Sequence, residues 1–590
     1  MNNDIFSVLR AHVVAALRQI APDLPEEVVA RVEVTPARDP AHGDMATNAA
    51  LVVAKAARQA PPKLAAALVE ALAEVAEIAE ATPRPGFVNL QLRPEAWRAQ
   101  IGAMLRGGIG YGDSAAGQGV RVNVEYVSAN PNGPMHIGHC RGAVVGDALA
   151  NLLGKAGFAV TKEYYVNDAG AQIAALAWAT YWRYLQAIGT SLTEEEYAAQ
   201  VPGGLQYRGE YLIPLGEALA RDHGPALAGP GGTVADPALW FETVRDFAVA
   251  RMLAAIREDL ELLGVHFDVF SSERALFESG AADAAIERLR ADGLIYEGVL
   301  EPPKGKLPED WEARAQTLFR ATQFGDDVDR PLRKSDGSNT YFANDIAYHA
   351  DKASRADVVI DVLGADHGGY VPRMRAAMQA IAPQARYEVV LCQIVHVVKG
   401  GQPVRMSKRA NTYITLRDLL DEVGRDAVRF TMLTRKSDAQ MEFDLDQAVA
   451  QTRDNPVFYV QYAHARCRSV LRLAAEQGLA TEEAALAGVP LDSLDAEPEL
   501  ALIRRLAAWP RTVEAAALAR EPHRIAFFLY DLAGDFHMLW NKGRDESTLR
   551  FLQADRPAET AARLALVAAT AVVIRSGLAV MGVTPVEEMR

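Results

Sequence analysis

The chain has 590 residues, half of them apolar, and a formal net charge of −15. This length predicts several domains with cores of their own, and the acidic balance argues against indiscriminate binding of polyanions. Three cysteines are too few for a disulfide framework or a Cys-rich zinc site, so we expect no structural metal and a reducing compartment, the cytoplasm. The start lacks a signal peptide and charges interrupt the longest apolar runs, so no membrane segment is expected.

The acidic charge is unevenly spread along the chain. From Arg453 onward there are 16 Lys and Arg against 18 Asp and Glu, a net −2 that leaves −13 of the total for the remainder. A nucleic-acid partner is therefore expected near the C-terminal part.

Residues 1–110 predict a small α+β domain. The pattern indicates a helix over 5–20, a strand near 32–34, two Ala-rich helices between 45 and 80, and a strand over 87–92, with its last turn at Pro83, Pro85 and Gly86. A capping domain without chemistry is the plain alternative. The Gly-rich stretch 107–117 is typical of a linker.

From Val120 the pattern alternates between strands and helices, which predicts a parallel sheet. Residues 190–330 interrupt the alternation with turns, a long helix between Leu239 and Leu263, and a polar stretch from Glu301 to Arg333, and are interpreted as an insertion. Ligands of such sheets bind beyond the carboxyl ends of the strands. The predicted strands are 120–127, 159–166, 340–347, 358–363 and 387–398, and the predicted helices are 135–153, one capped by Asn167 or Asp168, and one after Pro372.

After Arg409 the pattern predicts only helices. Two short ones are expected at 416–423 and 427–433, and a bundle of four longer ones follows. The longer helices are expected near 455–478, 497–519, 522–541 and 557–581.

His136 and His139 follow a turn rich in Asn, Gly and Pro and open a helix, so they share one face of its first turn. Backbone N–H groups and the helix dipole favour an anion there, and two imidazoles can donate hydrogen bonds to phosphate oxygens. Gly138 between them lets a flat ligand such as adenine approach the backbone. The alternative is a pair of ordinary surface or core histidines.

A cationic segment, Arg405-Met406-Ser407-Lys408-Arg409, follows the Gly400-Gly401 turn. Three cations in five residues usually form a solvated face. On a mobile loop near the end of the sheet, Lys408 could instead neutralise the β- and γ-phosphates of a nucleotide.

Three acids, Glu125, Asp345 and Asp366, lie at or just beyond predicted strands. Bidentate pairing with carboxylates is the strongest way to recognise a guanidinium group, so they are candidates for binding a cationic substrate. Strand-end acids taken singly are more often caps or ion pairs.

These segments resemble a known family. Ser-Ala-Asn-Pro-Asn-Gly-Pro-Met-His-Ile-Gly-His at 128–139 resembles the His-Ile-Gly-His signature of class I aminoacyl-tRNA synthetases, and 405–409 resembles their Lys-Met-Ser-Lys-Ser loop. Within that class, the segments at 164–170, 341–349, 363–370 and 455–466 are similar to bacterial arginyl-tRNA synthetases. The resemblance covers nearly the whole chain.

The resemblance implies an α/β fold in three parts. An N-terminal α+β add-on domain that contacts tRNA is expected at 1–110, a Rossmann-like parallel-sheet catalytic domain at 111–452, and a helical anticodon-binding domain at 453–590. The implied activity is that of an arginine–tRNA ligase, which forms arginyl-adenylate from L-arginine and ATP and transfers arginine to the terminal adenosine of tRNA(Arg). ATP enters with Mg²⁺, and a monomer is expected.

The resemblance also assigns residue roles. His136 and His139 with Lys408 are the expected catalytic groups. ATP is expected to contact His136, Gly138, His139, Met406, Ser407 and Lys408. Arginine is expected to contact Glu125, Asn130, Tyr341, Asp345 and Asp366. The tRNA is expected to contact Phe87, Asn89, Trp540 and Met589, although each aromatic residue could instead belong to a core.

The chain departs from the family pattern at a few positions. The signature loop begins with Arg405 instead of Lys and ends with Arg409 instead of Ser, so Lys408 carries the cationic role. Some family members place a lysine shortly before the first signature histidine, where this chain has Gly133. Phe536 stands where relatives have Tyr, so a contact through that hydroxyl is not expected.

Two other functions would share part of this pattern. A small-molecule nucleotidyltransferase with the same histidine signature would not require the long helical segment after Arg453. A non-catalytic tRNA-binding relative should have lost the signature histidines or Lys408, and all are present.

Overall fold

The computed structural model describes residues 4–37, 39–300, 314–334, 336–404 and 414–589. The chain forms two compact units. One consists of Met1–Ala116, Lys155–Gly157 and Ala450–Arg590, and the other of Gly117–Gly154 and Phe158–Val449.

The N-terminal part is an antiparallel four-stranded sheet, in the order β1-β2-β4-β3, with helices packed on it. Asp4 caps the first helix by accepting hydrogen bonds from the backbone N–H groups of Phe6 and Ser7. Its strands are β1 (Val34–Pro36), β2 (Met45–Thr47), β3 (Ile78–Arg84) and β4 (Phe87–Leu92). Its helices are α1 (Ile5–Ile20), α2 (Glu26–Val29), α3 (Ala49–Ala57), α4 (Pro61–Leu72) and α5 (Pro94–Gly107).

The predicted bounds of α1 and β4 are confirmed to the residue. The predicted turn at Pro83 is wrong, because Pro83 belongs to β3, which forms a hairpin with β4 around Gly86. The sequence pattern did not predict α2, β2, β3 or α5. The stretch 107–117 is partly packed: Tyr111 is buried, and its carbonyl accepts a hydrogen bond from Trp509 Nε1 at 2.9 Å.

The second unit is built on a five-stranded parallel sheet in the order β12-β11-β5-β6-β7. Strand order reverses beside β5, since β6 continues on one side of it and β11 lies on the other. The strands of this sheet are β5 (Arg121–Glu125), β6 (Ala159–Val166), β7 (Val269–Ser272), β11 (Val358–Gly364) and β12 (Arg386–Cys392).

Two smaller sheets belong to the same unit. One is antiparallel, in the order β10-β9-β8, and the other has the order β14-β13-β15. Their strands are β8 (Ile295–Gly298), β9 (Gln316–Phe319), β10 (Arg330–Arg333), β13 (Val395–Lys399), β14 (Gln402–Pro403) and β15 (Met441–Asp444).

The longest helix of this unit lies in the predicted insertion, and the others cover the sheets. The helices are α6 (Ile137–Lys155), α7 (Ala171–Ala187), α8 (Glu194–Ala198), α9 (Ile213–His223), α10 (Pro237–Leu263), α11 (Glu273–Glu278), α12 (Ala281–Ala291), α13 (Tyr341–Arg355), α14 (Val371–Ile381), α15 (Leu416–Val423), α16 (Arg425–Met432) and α17 (Leu445–Val449).

Several predictions for this unit are wrong. Residues 340–347, predicted as a strand, form the cap and first two turns of α13, where Thr340 Oγ1 accepts a hydrogen bond from the backbone N–H of Ala343. The predicted insertion is not wholly outside the sheet, because it supplies β7. Neither Asn167 nor Asp168 caps α7, which begins after Gly170. The predicted strand 387–398 is two strands in different sheets, and β15 breaks the expected run of helices.

The C-terminal part is helical, as predicted, and shares a unit with the N-terminal part. Helix α5 packs against α20 and α23, and Arg98 donates to the carbonyl of Asp492 at 3.2 Å. The predicted helix 497–519 is two consecutive helices. The helices are α18 (Pro456–Glu476), α19 (Glu483–Leu486), α20 (Glu497–Ala507), α21 (Trp509–Ala519), α22 (His523–Asp545) and α23 (Pro557–Met581).

Helix α23 is long and apolar enough to cross a membrane, with a mean hydropathy of 2.1 over its most apolar 18 residues. That window is 89% buried inside the protein, so α23 has the environment of a core helix of a bundle.

Candidate active site at the carboxyl ends of the parallel strands

A cleft of about 910 Å³ opens where the order of the parallel strands reverses. Segments that follow β5, β6, β11 and β12 form its walls, which is where parallel sheets bind ligands. The predicted site residues that line it are Asn130, His136, Gly138, His139, Tyr341 and Asp366.

The two signature histidines lie together at the start of α6. Their rings stack, with centroids 4.0 Å apart and planes inclined by 28°. The backbone N–H of Gly138 donates to His136 Nδ1 at 3.1 Å, and that of His136 donates to His139 Nδ1 at 3.3 Å. Both rings are thereby held against the first turn of the helix, at the positive end of its dipole.

Residues 405–413, which include Arg405, Met406, Ser407, Lys408 and Arg409, lie outside the described residues. The chain on both sides of them is hydrogen-bonded. Before them, the N–H of Val404 donates to the carbonyl of Val397 at 2.9 Å. After them, the N–H of Leu416 donates to the carbonyl of Met135, also at 2.9 Å, next to the signature histidines.

Asn130 projects from the turn between β5 and α6. Its Nδ2 donates to Gln172 Oε1 at 2.9 Å, an oxygen that also accepts from Asn132 Nδ2 at 3.1 Å. Tyr341, on the first turn of α13, is 66% exposed, and Asp366 is exposed on a 3₁₀ turn after β11. These side chains are accessible to a ligand in the cleft.

Two predicted acids, Glu125 and Asp345, are not among the residues that line the cleft; Glu125 is buried and Asp345 is half-buried. Glu125 accepts hydrogen bonds from Ser128 Oγ at 2.9 Å and from Lys352 Nζ at 2.6 Å. Asp345 Oδ2 accepts from the hydroxyl of Tyr370, and burial raises the pKa of Asp345. Each acid lies close to a residue that does line the cleft, since Glu125 accepts from Ser128 and Asp345 is one turn after Tyr341 on α13.

The backbone between Glu125 and the cleft is strained. Val127 and Ser128 have positive φ values of 68° and 41°, which residues other than glycine rarely adopt. Ser128 is held on three sides: its Oγ donates to Glu125 and accepts from the N–H of Tyr165 at 3.0 Å, and its carbonyl accepts from Asn167 Nδ2 at 3.2 Å. Such strain persists where neighbouring contacts enforce it.

Sequence reasoning missed Glu273, which lines the cleft at the start of α11, directly after β7. Burial raises its pKa to about 7, and repulsion by Asp345 and Asp168 adds to the effect. The hydroxyl of Tyr165 is buried nearby, and among the described residues it has no hydrogen-bond partner. An acid directly after a strand was the signal that could have revealed Glu273, but β7 itself was not predicted.

Three side chains in this region could supply metal ligands. Glu125, His349 and Asp361 have ligand atoms within 4.8 Å of one another. The ammonium group of Lys352 already donates to both carboxylates, at 2.6 Å and 2.7 Å. The charge that a metal ion would supply is therefore present in the protein, and this set is a salt-bridged cluster.

The residues predicted to contact tRNA lie in the other unit. Phe87 is 41% exposed at the start of β4, and Asn89 is half-buried in the same strand, opposite Ala46 and Thr82. An exposed phenylalanine at a hairpin is available for stacking.

Trp540 is half-buried on α22, with the guanidinium carbon of Arg466 4.8 Å from its ring centroid. Arg466 also lies 4.1 Å over the ring of Tyr462 on α18, so the three side chains form one stacked group. Phe536 is fully buried. Met589 is half-buried. Two residues before it, Glu587 forms a salt bridge of 2.6 Å with Arg468 on α18, which holds the C-terminal segment against that helix.

The chain is similar to known proteins over its whole length. Three family models match in chain order: "Arginyl tRNA synthetase N terminal domain" over residues 7–92, "tRNA synthetases class I (R), catalytic domain" over 100–191, and "DALR anticodon binding domain" over 460–589. The structure of Thermus thermophilus arginyl-tRNA synthetase has the same fold, with a TM-score of 0.72 at 22% identity over 99% of this chain and 100% of that chain.

Two sequence relatives extend over the whole chain. Arginine–tRNA ligase of Gluconobacter oxydans is 64% identical over 591 residues, which cover 99% of this chain and 98% of the relative. Arginine–tRNA ligase of Ruegeria pomeroyi is 54% identical over 593 residues, which cover both chains completely. With such coverage and identity, the chain belongs to the arginyl-tRNA synthetases, a family of class I aminoacyl-tRNA synthetases.

Proposed function

We propose that this protein is an arginine–tRNA ligase that activates L-arginine with ATP and transfers it to the 3′-terminal adenosine of tRNA(Arg). The observation that carries the proposal is the pair of stacked histidines at a helix start, lining a cleft that Glu273 also lines and that Glu125 adjoins through Ser128. The cleft thus offers hydrogen-bond donors for phosphates beside negative charge for a cationic side chain.

The first step is an in-line displacement. A carboxylate oxygen of arginine attacks the α-phosphorus of ATP. The bond between the α-phosphorus and the oxygen that bridges to the β-phosphate breaks, and pyrophosphate leaves with the electron pair of that bond. His136 and His139 stabilise the charge that develops on the phosphate oxygens, and Gly138 leaves room for the nucleotide. In the second step, the 2′-hydroxyl of the terminal adenosine attacks the arginyl carbonyl and AMP leaves.

The remaining nucleotide contacts are assigned to the signature loop. Met406, Ser407 and Lys408 close over ATP, and Lys408 neutralises its phosphates. Mg²⁺ enters as part of the ATP substrate complex, since Mg²⁺ is usually held through substrate phosphates.

Arginine recognition is assigned to the acidic side of the cleft. Glu125, Asp345 and Glu273 supply negative charge for the guanidinium group, and Tyr341 supplies a hydroxyl. Asn130 holds the α-amino end, and Asp366 lies near the amino group or the ribose. Charged hydrogen bonds to a guanidinium are the strongest available contacts for this side chain.

The tRNA contacts are assigned to both ends of the chain. The domain at 1–110 contacts the elbow of the tRNA through Phe87 and Asn89, and the helical domain at 453–590 contacts the anticodon loop through Trp540 and Met589. Residues 111–452 carry the chemistry. We further propose that the protein is a cytoplasmic monomer.

The decisive experiment is ATP–pyrophosphate exchange measured with tRNA(Arg) present. We expect exchange that depends on arginine and is much weaker with lysine or ornithine. Equal exchange with lysine would contradict the substrate assignment, and no exchange with arginine and cognate tRNA would contradict the function. Exchange without transfer to tRNA would favour a small-molecule nucleotidyltransferase.

A further inference from the structure

Three carboxylates lie side by side across the central strands of the parallel sheet. In the strand register, Glu125 on β5 is opposite Asp361 on β11 and opposite Glu163 on β6. Adjacent parallel strands lie about 4.8 Å apart, so side chains opposite one another are close neighbours. Like charges in such positions repel, and these three acids are buried. The row therefore requires cations or hydrogen-bond donors between its members.

Lys352 of α13 lies between two of these acids. Its side chain is fully buried, and its ammonium group donates to Glu125 Oε2 at 2.6 Å and to Asp361 Oδ1 at 2.7 Å. The nitrogen also lies 4.5 Å from the ring centroid of Tyr348. Burial alone would lower the pKa of Lys352, but Asp361 and Glu125 outweigh it and raise the pKa, so the residue is a permanent cation.

Other side chains donate hydrogen bonds to Glu163 and Asp361 in this row of acids. Glu163 accepts hydrogen bonds from Asn123, Ser271, Tyr348 and Arg355. Asp361 accepts from His349 Nε2 and from the hydroxyl of Tyr387, at 2.7 Å and 2.8 Å. The titratable groups that interact with Glu125 or Lys352 thus include Asp345, Tyr348, Asp361, Glu163, Tyr387 and Tyr165.

His349, which lies on α13 like Lys352, also contacts Asp361. Its Nε2 faces the Asp361 carboxylate, and its Nδ1 faces the carbonyl of Asp345 at 2.7 Å. Asp361 is thus contacted by both His349 and Lys352, and the second hydrogen bond of Lys352 is directed to Glu125.

A continuous set of contacts leads from Lys352 to the cleft. Lys352 holds one oxygen of Glu125, and the other oxygen accepts from Ser128 Oγ. Ser128 belongs to the strained pair Val127–Ser128, which lines the cleft and precedes Asn130. A displaced Glu125 would release this strained wall as well as move the carboxylate itself.

We propose that Lys352 is a positioning residue for arginine: it separates Glu125 from Asp361 and thereby holds the Glu125 carboxylate and the Val127–Ser128 wall in place. Its role is electrostatic and acts through Glu125, without contact with the substrate. This inference rests on the proposed function.

The test compares Lys352→Met with the double variant Lys352→Met/Asp361→Asn in tRNA-dependent exchange. In the single variant, Glu125 and Asp361 face each other without a cation, so they move apart or share a proton. We expect the KM for arginine to rise about 30-fold or more while the KM for ATP stays within threefold. In the double variant the repulsion is gone, and the KM for arginine should return to within about fivefold of wild type.

The double variant distinguishes charge from packing. If Lys352 only fills space, a second buried substitution adds damage and the KM for arginine stays high, which would overturn the proposal. An unchanged KM in the single variant would overturn it too. Should the single variant fail to fold, the double variant alone decides by the same fivefold criterion.

Lys162→Met is a matched control. Lys162 Nζ donates to the buried carboxylate of Asp147 at 2.7 Å, and Asp147 retains Arg429 when the lysine is lost. The KM for arginine should stay within twofold, although stability falls. A rise equal to that of Lys352→Met would show that losing any lysine paired with a buried carboxylate suffices, against the proposal. A wild-type protein without arginine-dependent exchange would instead refute the proposed function.

Discussion

The imidazole rings of His136 and His139 stack with centroids 4.0 Å apart, and the absence of a side chain on Gly138, the residue before His139, makes that arrangement possible. A Cβ on Gly138 would lie 2.8 Å from Cε1 and 2.9 Å from Nδ1 of His136. The glycine thus permits both the N–H to Nδ1 hydrogen bond and the open approach to the helix start.

Replacing either histidine by alanine should slow activation and leave tRNA binding intact. Removing one positioned donor from a developing oxyanion typically costs about 100-fold in kcat or more. We expect this loss for His136→Ala and His139→Ala in ATP–pyrophosphate exchange, with the dissociation constant for tRNA(Arg) within twofold. A large loss of tRNA affinity would contradict the assigned roles. The same outcome is predicted for Lys408→Ala.

Gly138→Ala should impair ATP binding through the His136 ring. Because a contact under 3.0 Å cannot persist, the ring must move from its stacked position. We expect the KM for ATP to rise about tenfold or more. Gly154→Ala in the same helix is the control, since a Cβ there meets nothing within 4 Å. Equal KM values for the two variants would show that the His136 arrangement is irrelevant to ATP.

Helices and strands could be predicted where the hydrophobic periodicity extends over many residues or where turn residues mark the ends of a strand. Helices α1 and α15 and strands β4 and β6 were predicted to the residue. Residues 340–347 were misassigned because a short apolar run does not distinguish a strand from a buried helix. The spacing of the buried residues Phe342, Ala343, Ile346 and Ala347 is helical and was the better signal.

The candidate site was predictable where chemistry is local in sequence. His136, Gly138 and His139 lie in one turn, so their proximity follows from their spacing. Lys352 and Glu273 could not be found this way, because their importance depends on strand order. Glu125 and Asp361 become neighbours only when β11 pairs with β5, a contact across more than two hundred residues.

The KM for arginine should rise as the pH falls through 7. Burial and repulsion by Asp345 and Asp168 raise the pKa of Glu273 to about 7, so the empty site takes up a proton there below that pH. A guanidinium group favours the ionised form of the Glu273 carboxylate, so arginine binding at low pH must displace the proton from Glu273. The affinity for arginine therefore reaches its maximum only above pH 7. We expect a three- to tenfold higher KM at pH 6 than at pH 8.

The Glu273→Gln variant provides the control for this pH dependence. It should have a raised KM for arginine that changes little between pH 6 and pH 8, because the titrating group is gone. If the variant retains the wild-type pH profile, another group is responsible and Glu273 does not face the substrate.

Asp345→Asn should weaken arginine binding specifically. The substitution preserves size and leaves the backbone carbonyl that faces His349, but it removes the charge. We expect the KM for arginine to rise about 100-fold and the KM for ATP to stay within threefold. Tyr370→Phe, which removes the hydrogen bond to Asp345 but keeps its charge, should raise the KM for arginine only a few fold. An unchanged KM in Asp345→Asn would remove this residue from the pocket.

Trp540→Ala should weaken the productive interaction with tRNA without changing the amino-acid site. Trp540 is stacked with Arg466 and only half-buried, so a face of this group is accessible to an unpaired base. Stacking of a base on an aromatic side chain contributes about 1–3 kcal/mol, so we expect the KM for tRNA(Arg) to rise about tenfold in aminoacylation, with the KM for arginine within twofold. Phe551→Leu is the matched control, because Phe551 contacts the Trp540 ring from the buried side, with centroids 6.0 Å apart. If both variants raise the KM for tRNA equally, Trp540 acts by packing the bundle and a direct contact with the anticodon loop is refuted.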